Sequence, residues 1–373
     1  MKSRRILIGC YEIPGYGGAN TASYQLFRIM QEEGFDVHYI NLVDEEDLVY
    51  FAFAFGANYG NPLSLENVYN CALNGVLYGP HPELTALIEE IAPDVIIGVD
   101  FIAALLMKRA APKTTLIFLT AGCQQVKDAV TGRRVTDLVT QEKMIAGASG
   151  FPRRSCREEV EAADMCDLIV THSNVTLALF HHFFPYLHGK IYPKPIWFGE
   201  WIYREAQKYS DLAKPFAQRA VDVLFLASSW ARREKNYSWV KKLLSALPDA
   251  TIHVIGEVEE RKKLSLVHYH GLVTERYRLF ELMGRAKTVA SPSLYDSAPG
   301  VLFEAAAMGC NIVASKNCGN WMICNQRLLA EPFSPKNFVN AIRLSLFKKF
   351  DDNMKFFLET NSYGRLVEMT QLI

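Results

Sequence analysis

Two carboxylates in residues 293–320 have the type and spacing needed to hold a phosphorylated ligand. Asp296 and Glu304 stand either side of a seven-residue spacer, and Glu304 lies about one turn into a run of helix-forming residues. A loop that enters a helix N-terminus binds anions, because the first N–H groups lack intrahelical partners and the helix dipole favours negative charge. Glu304 would then bond hydroxyl groups of whatever the phosphate carries. The stretch favours a site for a phosphorylated sugar compound.

The spacer itself offers further contacts, because its first half is made of small residues. Ser297 lies there, and the backbone N–H groups of Gly300 and Val301 are candidate phosphate donors at the predicted helix start. The structural alternative is a surface acid followed by a glutamate on a helix face. The alanine run after Glu304, the glycine that ends it and the apolar strand beyond make the pattern more specific than two acids alone.

A basic turn at residues 228–236, SSWARREKN, follows one predicted strand and precedes a predicted helix over Lys235–Leu247. Arg232, Arg233 and Lys235 can make charge-assisted bonds to a phosphate with help from the helix start. The alternative is a solvated basic turn.

A glycine loop at residues 15–20, GYGGAN, follows the first predicted strand. Ligands bind at the carboxyl ends of strands in an open parallel sheet, so Gly17 and Gly18 are candidate ligand contacts. A dinucleotide fingerprint needs glycine at the sixth position of G-x-G-x-x-G, where this chain has Asn20. The loop therefore speaks against an NAD dehydrogenase, and a tight turn with positive φ is its structural alternative.

These motifs resemble those of the retaining, family 4 type glycosyltransferases with the GT-B fold. That family has Glu-x7-Glu, an alanine-rich helix, a glycine, an apolar strand and a Gly-Gly pair. Here Asp296 and Glu304 occupy the acid positions, and Cys318-Gly319 occupies the position of the glycine pair. The resemblance implies that Asp296 contacts the donor sugar, that Glu304 contacts the ribose of the nucleotide, and that Lys235 grips the donor diphosphate.

The same resemblance assigns the other candidate residues. It implies backbone recognition of the nucleobase in the stretch from Gly256 to Leu272 and an acceptor near the glycine loop. His172 follows a predicted strand and is expected to point into the cleft, with a structural histidine as the alternative. The implied sets are catalytic Asp296, Lys235, Arg232 and Arg233; donor-binding Glu304, Gly300, Val301, Gly256, Leu272, Ser297, Gly17 and Gly18; and, on the acceptor side, Asp100 and His172.

The chain departs from the family pattern at three positions. Trp230 stands where an arginine usually precedes the lysine by five residues, so Arg232 or Arg233 would substitute for it. Ala121 stands where the family has a histidine after the fourth strand. Gly98-Val99-Asp100 replaces a common His-x-His-Asp.

The function implied by the resemblance is transfer of a sugar, with retention, from a nucleotide-sugar to a glycan, lipid-linked or small-molecule acceptor. UDP-sugars are the expected donors. No cofactor and no metal are expected, because the sequence has no D-x-D motif and basic groups would neutralise the diphosphate. Alternatives are another GT-B enzyme, either a sugar-nucleotide epimerase or a phosphorylase, and a non-catalytic relative that binds sugar nucleotides.

Composition agrees with a globular chain of two domains. The protein has 373 residues, 50% hydrophobic and 21% charged, with zero net charge, so nothing points to a nucleic-acid partner. Residues 1–200 carry a net charge of −7 and residues 201–373 a net charge of +7, which suits an anionic ligand in the second half. Eight scattered cysteines without a C-x-x-C pair indicate reduced core residues. The apolar run Val95–Met107 is too short to span a bilayer, so we expect a cytoplasmic protein that can still touch a membrane surface.

Strand and helix patterns alternate in both halves. They predict an α/β protein of the GT-B class: two Rossmann-like doubly wound domains that face each other across a cleft. We expect an acceptor-side domain over 1–200, a nucleotide-sugar domain over 201–350, and a helical tail over 351–373 that packs on the first domain. Residues 44–80 have no clear pattern and are expected to form an irregular insertion.

Overall fold

The computed structural model of the protein divides into two compact units, each built on its own parallel sheet. The residues that the structure describes are 4–11, 18–43, 66–73, 79, 81–120, 122–124, 126, 154–196, 199–331 and 334–360. Among the described residues, those up to 196 belong to the first unit, apart from Val126, and residues 199–360 belong to the second.

The first unit holds a six-stranded sheet in the order β3-β2-β1-β4-β5-β6. Its strands are β1 (Arg5–Tyr11), β2 (Asp36–Val43), β3 (Val68–Ala72), β4 (Val95–Val99), β5 (Thr115–Thr120) and β6 (Leu168–Thr171). Its described helices are α1 (Gly18–Glu32), α2 (Pro82–Ile91), α3 (Phe101–Ala110), α4 (Arg154–Met165) and α5 (Asn174–Phe183). The chain builds outward from β1 and then returns to its other side with β4. The topological switch point therefore lies between β1 and β4.

The second unit repeats this plan with a five-stranded parallel sheet in the order β11-β10-β7-β8-β9. Its strands are β7 (Val221–Ser229), β8 (Ile252–Glu257), β9 (Val267–Gly271), β10 (Ala286–Ala290) and β11 (Asn311–Val313). Its described α-helices are α6 (Gly199–Gln207), α7 (Tyr237–Ala246), α8 (Arg276–Gly284), α9 (Gly300–Ala307), α10 (Pro335–Phe347) and α11 (Met354–Thr360). Here the switch point lies between β7 and β10.

The inner strands of both sheets are buried on both faces, as expected for parallel sheets covered by helices. All five residues of β4 are buried, and α3 packs directly on this strand. A Cβ added at Gly98 would lie 2.5 Å from the Cα of Ala104. This glycine therefore lets the helix backbone approach the sheet, which holds the carboxyl end of β4 in place.

The predicted alternation of strands and helices is confirmed, and three elements were not predicted. β3 lies within the segment expected to be irregular. It was not predicted because this edge strand mixes polar and apolar residues and so has no clear pattern. α5 and α6 were also missed. A Cβ at Gly199, the first residue of α6, would lie 2.1 Å from Cζ of Phe303, so packing against α9 accompanies the start of this helix.

The cysteines with described side chains are all buried and none forms a disulfide, as predicted; Cys156 lies outside this set. No helix in the described ranges is long and apolar enough to cross a membrane. Of the predicted tail, α11 is helical, and residues 361–373 lie outside the described residues.

Candidate active site

The two constellations predicted in the second half meet at the switch point of the second sheet. The basic turn follows β7, and the loop that leads to Asp296 follows β10. Two hydrogen bonds join them: Leu294 N donates to the carbonyl oxygen of Glu234 at 2.7 Å, and Asn236 Nδ2 donates to that of Pro292 at 3.0 Å. The turn and the loop thus form one rigid edge at the carboxyl ends of neighbouring strands.

Lys235 and Asp296 form an ion pair between Lys235 Nζ and Asp296 Oδ2. Their side chains are only 18% and 13% exposed, so the pair is partly shielded from water. The structure therefore brings together the cation predicted for the diphosphate and the acid predicted for the donor sugar, although they lie 61 positions apart in sequence. An incoming anion would compete with Asp296 for Lys235.

The two arginines of the turn lie in different surroundings. Arg232 is exposed and pairs with Glu234, its Nε and Nη2 lying 2.7 and 2.6 Å from Oε1. Arg233 is half-buried and opens the short 3₁₀ turn that ends at Lys235. Glu234 was not predicted as a site residue. Its negative charge offsets that of Arg232 and lowers the net positive charge of the turn.

Trp230, which replaces the family's arginine, points into the protein. Its indole is buried, and Nε1 donates to the Ile255 carbonyl oxygen at 2.9 Å. Gly256, the next residue of β8, has φ of 120°, and a Cβ there would lie 1.9 Å from the oxygen of Ala227. Gly256 thus has a packing reason for being glycine, and position 230 contributes no charge to the site.

Helix α9 begins at Gly300 without a side-chain cap, because its N-cap residue is Pro299. The Pro299 carbonyl oxygen accepts from Leu302 N at 3.1 Å, so the N–H groups of Gly300 and Val301 come before the first turn of the helix closes. A Cβ at Gly300 would lie 3.3 Å from Cδ1 of Ile202 on α6. The start of α9 therefore has the backbone N–H groups that an anion site needs, and anion binding there stays a prediction.

Glu304 lies one turn into α9 and is half-buried. Burial raises the pKa of its carboxyl group, and the positive charge of Arg276 on α8 partly opposes this effect. A carboxylate with little water around it gains from hydroxyl donors, which replace the lost hydration. The environment of Glu304 therefore suits a diol such as a ribose.

A turn over residues 315–320 is hydrogen-bonded to the loop that carries Asp296. Asp296 N donates to the carbonyl oxygen of Asn317 at 3.1 Å, and Gly319 N donates to that of Asp296 at 2.8 Å. Asn320 Nδ2 donates to the oxygen of Pro299 at 2.9 Å. Burial and the neighbouring Asp296 raise the pKa of Cys318 in this turn to about 12, so its thiol stays neutral. Sequence reasoning assigned no role to the two asparagines.

Four further residues were predicted to contact the donor: Ser297, Leu272, Gly17 and Gly18. Ser297 follows Asp296 and is half-buried. Leu272 follows β9, the edge strand two positions from β7, and is 37% exposed. Gly18 opens α1 after β1, whereas Gly17 and Ala121 lie outside the described residues.

The predicted acceptor-side residues lie at the ends of two strands that β5 separates. Asp100 follows β4 with φ of 70° and ψ of 161°, and its Oδ1 accepts from Phe101 N at 2.6 Å, so it caps α3. His172 follows β6 and is buried, 6% exposed, next to the N-cap residue Ser173 of α5. Asp100 therefore lies at the switch point of its sheet, while His172 lies at the far edge strand.

With this geometry established, comparison with known proteins adds a family match for the second unit. Residues 220–346 match the family described as Glycosyl transferases group 1. This range includes the basic turn, both acids and the 315–320 turn. No curated protein matches the chain in sequence.

Solved structures resemble the chain over nearly its whole length. A sucrose-phosphate synthase from Thermosynechococcus elongatus is 14% identical with a TM-score of 0.63, covering 99% of this chain and 100% of that one. Anabaena HepE in complex with UDP and glucose is 15% identical with a TM-score of 0.61, covering 99% and 100%. The UDP-GlcNAc 2-epimerase of Methanocaldococcus jannaschii is 12% identical with a TM-score of 0.51, covering 93% and 94%.

The fold is therefore GT-B, as the sequence predicted, with two Rossmann-like units. The matched domain and this fold together support a GT-B glycosyltransferase.

Proposed function

We propose that the protein is a retaining glycosyltransferase that uses a UDP-sugar. The observation that carries the proposal is the Lys235–Asp296 ion pair at the switch point of the second sheet, beside the uncapped start of α9. It combines a cation and helix N–H groups for a diphosphate with an acid for the attached sugar. The likeness to HepE, solved with UDP and glucose, favours uridine as the base.

Donor binding would exchange the partner of Lys235. A diphosphate carries more negative charge than one carboxylate, so it would draw Nζ away from Asp296. The released carboxylate can then accept a hydrogen bond from a hydroxyl group of the donor sugar. Glu304 holds the ribose, and the N–H groups of Gly300 and Val301 face the phosphate.

In the transfer step the bond from the anomeric carbon to the phosphate oxygen breaks, and a bond to the acceptor oxygen forms on the same face. The proton of the acceptor hydroxyl passes to the leaving phosphate, so charge and atoms balance. Lys235 and the N–H groups of α9 stabilise the charge that develops on the diphosphate. Arg233 lies on the same turn and adds positive potential, whereas Glu234 offsets the charge of Arg232. These groups would supply the charge stabilisation that a metal ion provides elsewhere.

We propose that the acceptor binds to the first unit. His172 and Gly17 are the candidate contacts for a glycan, lipid-linked or small-molecule acceptor, and Asp100, also predicted on the acceptor side, lies at the switch point of that sheet with its carboxylate engaged in capping α3. A lipid-linked acceptor would bring the protein to a membrane surface, and a cytoplasmic location stays a prediction.

A sugar-nucleotide epimerase is the second candidate, because the Methanocaldococcus jannaschii epimerase shares the fold. An epimerase needs no acceptor, so incubating the protein with UDP-sugars alone separates the two activities. Conversion of the sugar without an acceptor would favour an epimerase. A product that forms only when an acceptor is added would favour the transferase, and donor binding without either product would favour a non-catalytic relative.

The first experiment is a thermal-shift panel of UDP, GDP, ADP, CMP and TDP with the wild type and Glu304→Ala. A ligand at 100 to 1,000 times its dissociation constant stabilises a fold by about 2.7–4.1 kcal/mol. We expect a shift with UDP that is lost in the variant. A shift with another base would correct the donor, and no shift with any nucleotide would remove the transferase proposal.

A further inference from the structure

Two asparagine side chains in the 315–320 turn are buried with one polar atom each unmatched. Asn317 is 2% exposed and Asn320 is fully buried. Nδ2 of Asn317 and Oδ1 of Asn320 have no hydrogen-bond partner among the described residues. Buried polar atoms are nearly always hydrogen-bonded in native folds, so such atoms call for an explanation.

Both amides lie beside the parts of the loop proposed to hold the donor. The carbonyl oxygen of Asn317 accepts from Asp296 N at 3.1 Å, which places Asn317 next to the acid proposed for the sugar. Asn320 Nδ2 donates to the Pro299 oxygen at 2.9 Å. Because Oδ1 shares its carbon with Nδ2, the unmatched oxygen lies beside the start of α9.

The orientation of Asn320 follows from its contact. A rotated amide would set Oδ1 against the oxygen of Pro299, two acceptors facing each other, so Nδ2 must point to Pro299. Asn317 has no such restraint. A sugar hydroxyl is both donor and acceptor, so it can pair with whichever amide atom Asn317 presents.

We propose that Asn317 and Asn320 form a second wall of the donor site, on which hydroxyl groups of the donor pair with the two unmatched amide atoms. Asn320 has a further part as a positioning residue, because its hydrogen bond to Pro299 fixes the N–H groups that face the leaving phosphate. Asn317 lies on the sugar side, beside Asp296. This inference rests on the proposed function and names additional residues that determine donor specificity.

The division between the two residues gives distinct signatures. Loss of the Asn317 amide should weaken binding of the nucleotide-sugar and leave the bare nucleotide unaffected. Loss of the Asn320 amide should weaken both ligands, because it disturbs the phosphate end as well. A merely structural role would not separate the two ligands.

Asn311 is a matched control in the same unit. It is 1% exposed, and its amide is fully partnered: Nδ2 donates to the carbonyl oxygens of Ser345 and Lys348 at 2.6 and 2.8 Å, and Oδ1 accepts from Phe350 N at 2.8 Å. Asn311→Ala therefore removes a buried asparagine with no unmatched atom, away from the loop. It should lower the melting temperature without changing affinity in the folded protein.

The test is calorimetric titration of UDP and of UDP-glucose, UDP-galactose and UDP-GlcNAc into wild type, Asn317→Ala, Asn320→Ala and Asn311→Ala. For the UDP-sugar that the wild type binds most tightly, Asn317→Ala should bind about 10-fold more weakly while its UDP affinity stays within about twofold. Asn320→Ala should lose about 10-fold for both ligands, and Asn311→Ala should match the wild type.

Wild-type affinity for the UDP-sugar in Asn317→Ala would overturn the inference, as would equal losses in Asn311→Ala and Asn320→Ala. If Asn320→Ala does not fold, the two titrations of Asn317→Ala decide. If the wild type binds UDP and the asparagine variants bind every ligand with wild-type affinity, only the assignment of Asn317 and Asn320 to the donor site is refuted. A wild type that binds none of the ligands refutes the proposed function and this inference with it.

Discussion

Asp100 and Asp296 occupy equivalent places in the two units, yet their carboxylates are engaged differently. Each follows the strand across the switch point from the first strand of its sheet, β4 in one unit and β10 in the other. Asp100 turns back on its own chain and caps the first N–H of α3. Asp296 reaches a residue 61 positions away, Lys235, in the turn after the neighbouring strand.

The difference shows why strand position alone does not make an acid chemically available. The carboxylate of Asp100 accepts a hydrogen bond from the backbone N–H of Phe101. The backbone of Asp100 has φ of 70° and ψ of 161°, a region that few residues other than glycine adopt. The ion pair of Asp296 can exchange with an incoming anion, and its backbone is held independently by the 315–320 turn. An acid of the second kind can change partners without disturbing the fold.

The largest expected effect comes from removing the cation that defines the second environment. Lys235→Ala should lower kcat/KM about 100-fold or more, because the leaving diphosphate loses its closest charge. Lys241→Ala is the matched control, since Lys241 lies on α7, the helix that follows the basic turn, and pairs with the exposed Glu260. Steady-state kinetics should show near-normal activity in the control. Equal activity in both variants would remove Lys235 from the site.

Asp296→Asn should separate binding from turnover. Because Lys235 no longer has a carboxylate partner, we expect UDP to bind roughly 3–10-fold more tightly, while turnover falls about 10-fold from loss of the sugar contact. Asp100→Asn should leave UDP affinity unchanged, since asparagine keeps a side-chain oxygen that can cap α3. Titration calorimetry and kinetics measure both quantities. Weaker UDP binding by Asp296→Asn would contradict the exchange of partners.

Asp100→Ala should act mainly on stability. Loss of the cap costs about 0.5–2 kcal/mol, and alanine is disfavoured at positive φ. Urea unfolding should show this loss, with Asp100→Asn close to the wild type. If Asp100→Asn instead lowers kcat at unchanged stability, Asp100 also contacts the reacting groups and the contrast with Asp296 narrows.

Glu304→Gln should change the stability of the fold least, and the direction in which this change varies with pH is informative. Burial raises the pKa of Glu304, so its contribution to stability is present below the unfolded pKa and is lost as the pH rises through the folded value. The variant should therefore gain stability relative to the wild type as the pH rises from about 4 to 8, by at most a few degrees of melting temperature. A variant that becomes relatively less stable over this range would mean that the carboxylate is favoured in the fold.

The sequence predicts the site where a residue type, its neighbours and a strand end coincide. Lys235 and Asp296 were predicted as site residues because a basic turn and a loop with one acid each follow an apolar strand, and Glu304 because it lies one turn into the helix after that loop. Their proximity follows from sheet order, which alternation of strands and helices does not reveal. Trp230 is buried and its Nε1 donates to the carbonyl oxygen of Ile255, a tertiary contact that leaves no local signal in the sequence.

Other features were beyond sequence reasoning for similar reasons. Asn236 stands at the N-cap of α7, a position where asparagine usually caps the helix, yet its φ is 62° and its Nδ2 donates to the carbonyl oxygen of Pro292 instead. Asn317 and Asn320 carry no pattern of their own, because their importance comes from the loop they face. β3 and α6 depend on neighbouring elements for their packing, so periodicity did not identify them.

The central claim is that Lys235 exchanges Asp296 for the diphosphate of a nucleotide-sugar. The most direct measurement is a crystal structure of the protein with UDP. We predict Lys235 Nζ and the N–H groups of Gly300 and Val301 within about 3.2 Å of phosphate oxygens, with the Lys235–Asp296 pair opened. UDP bound elsewhere, or bound with that ion pair intact, would contradict the account.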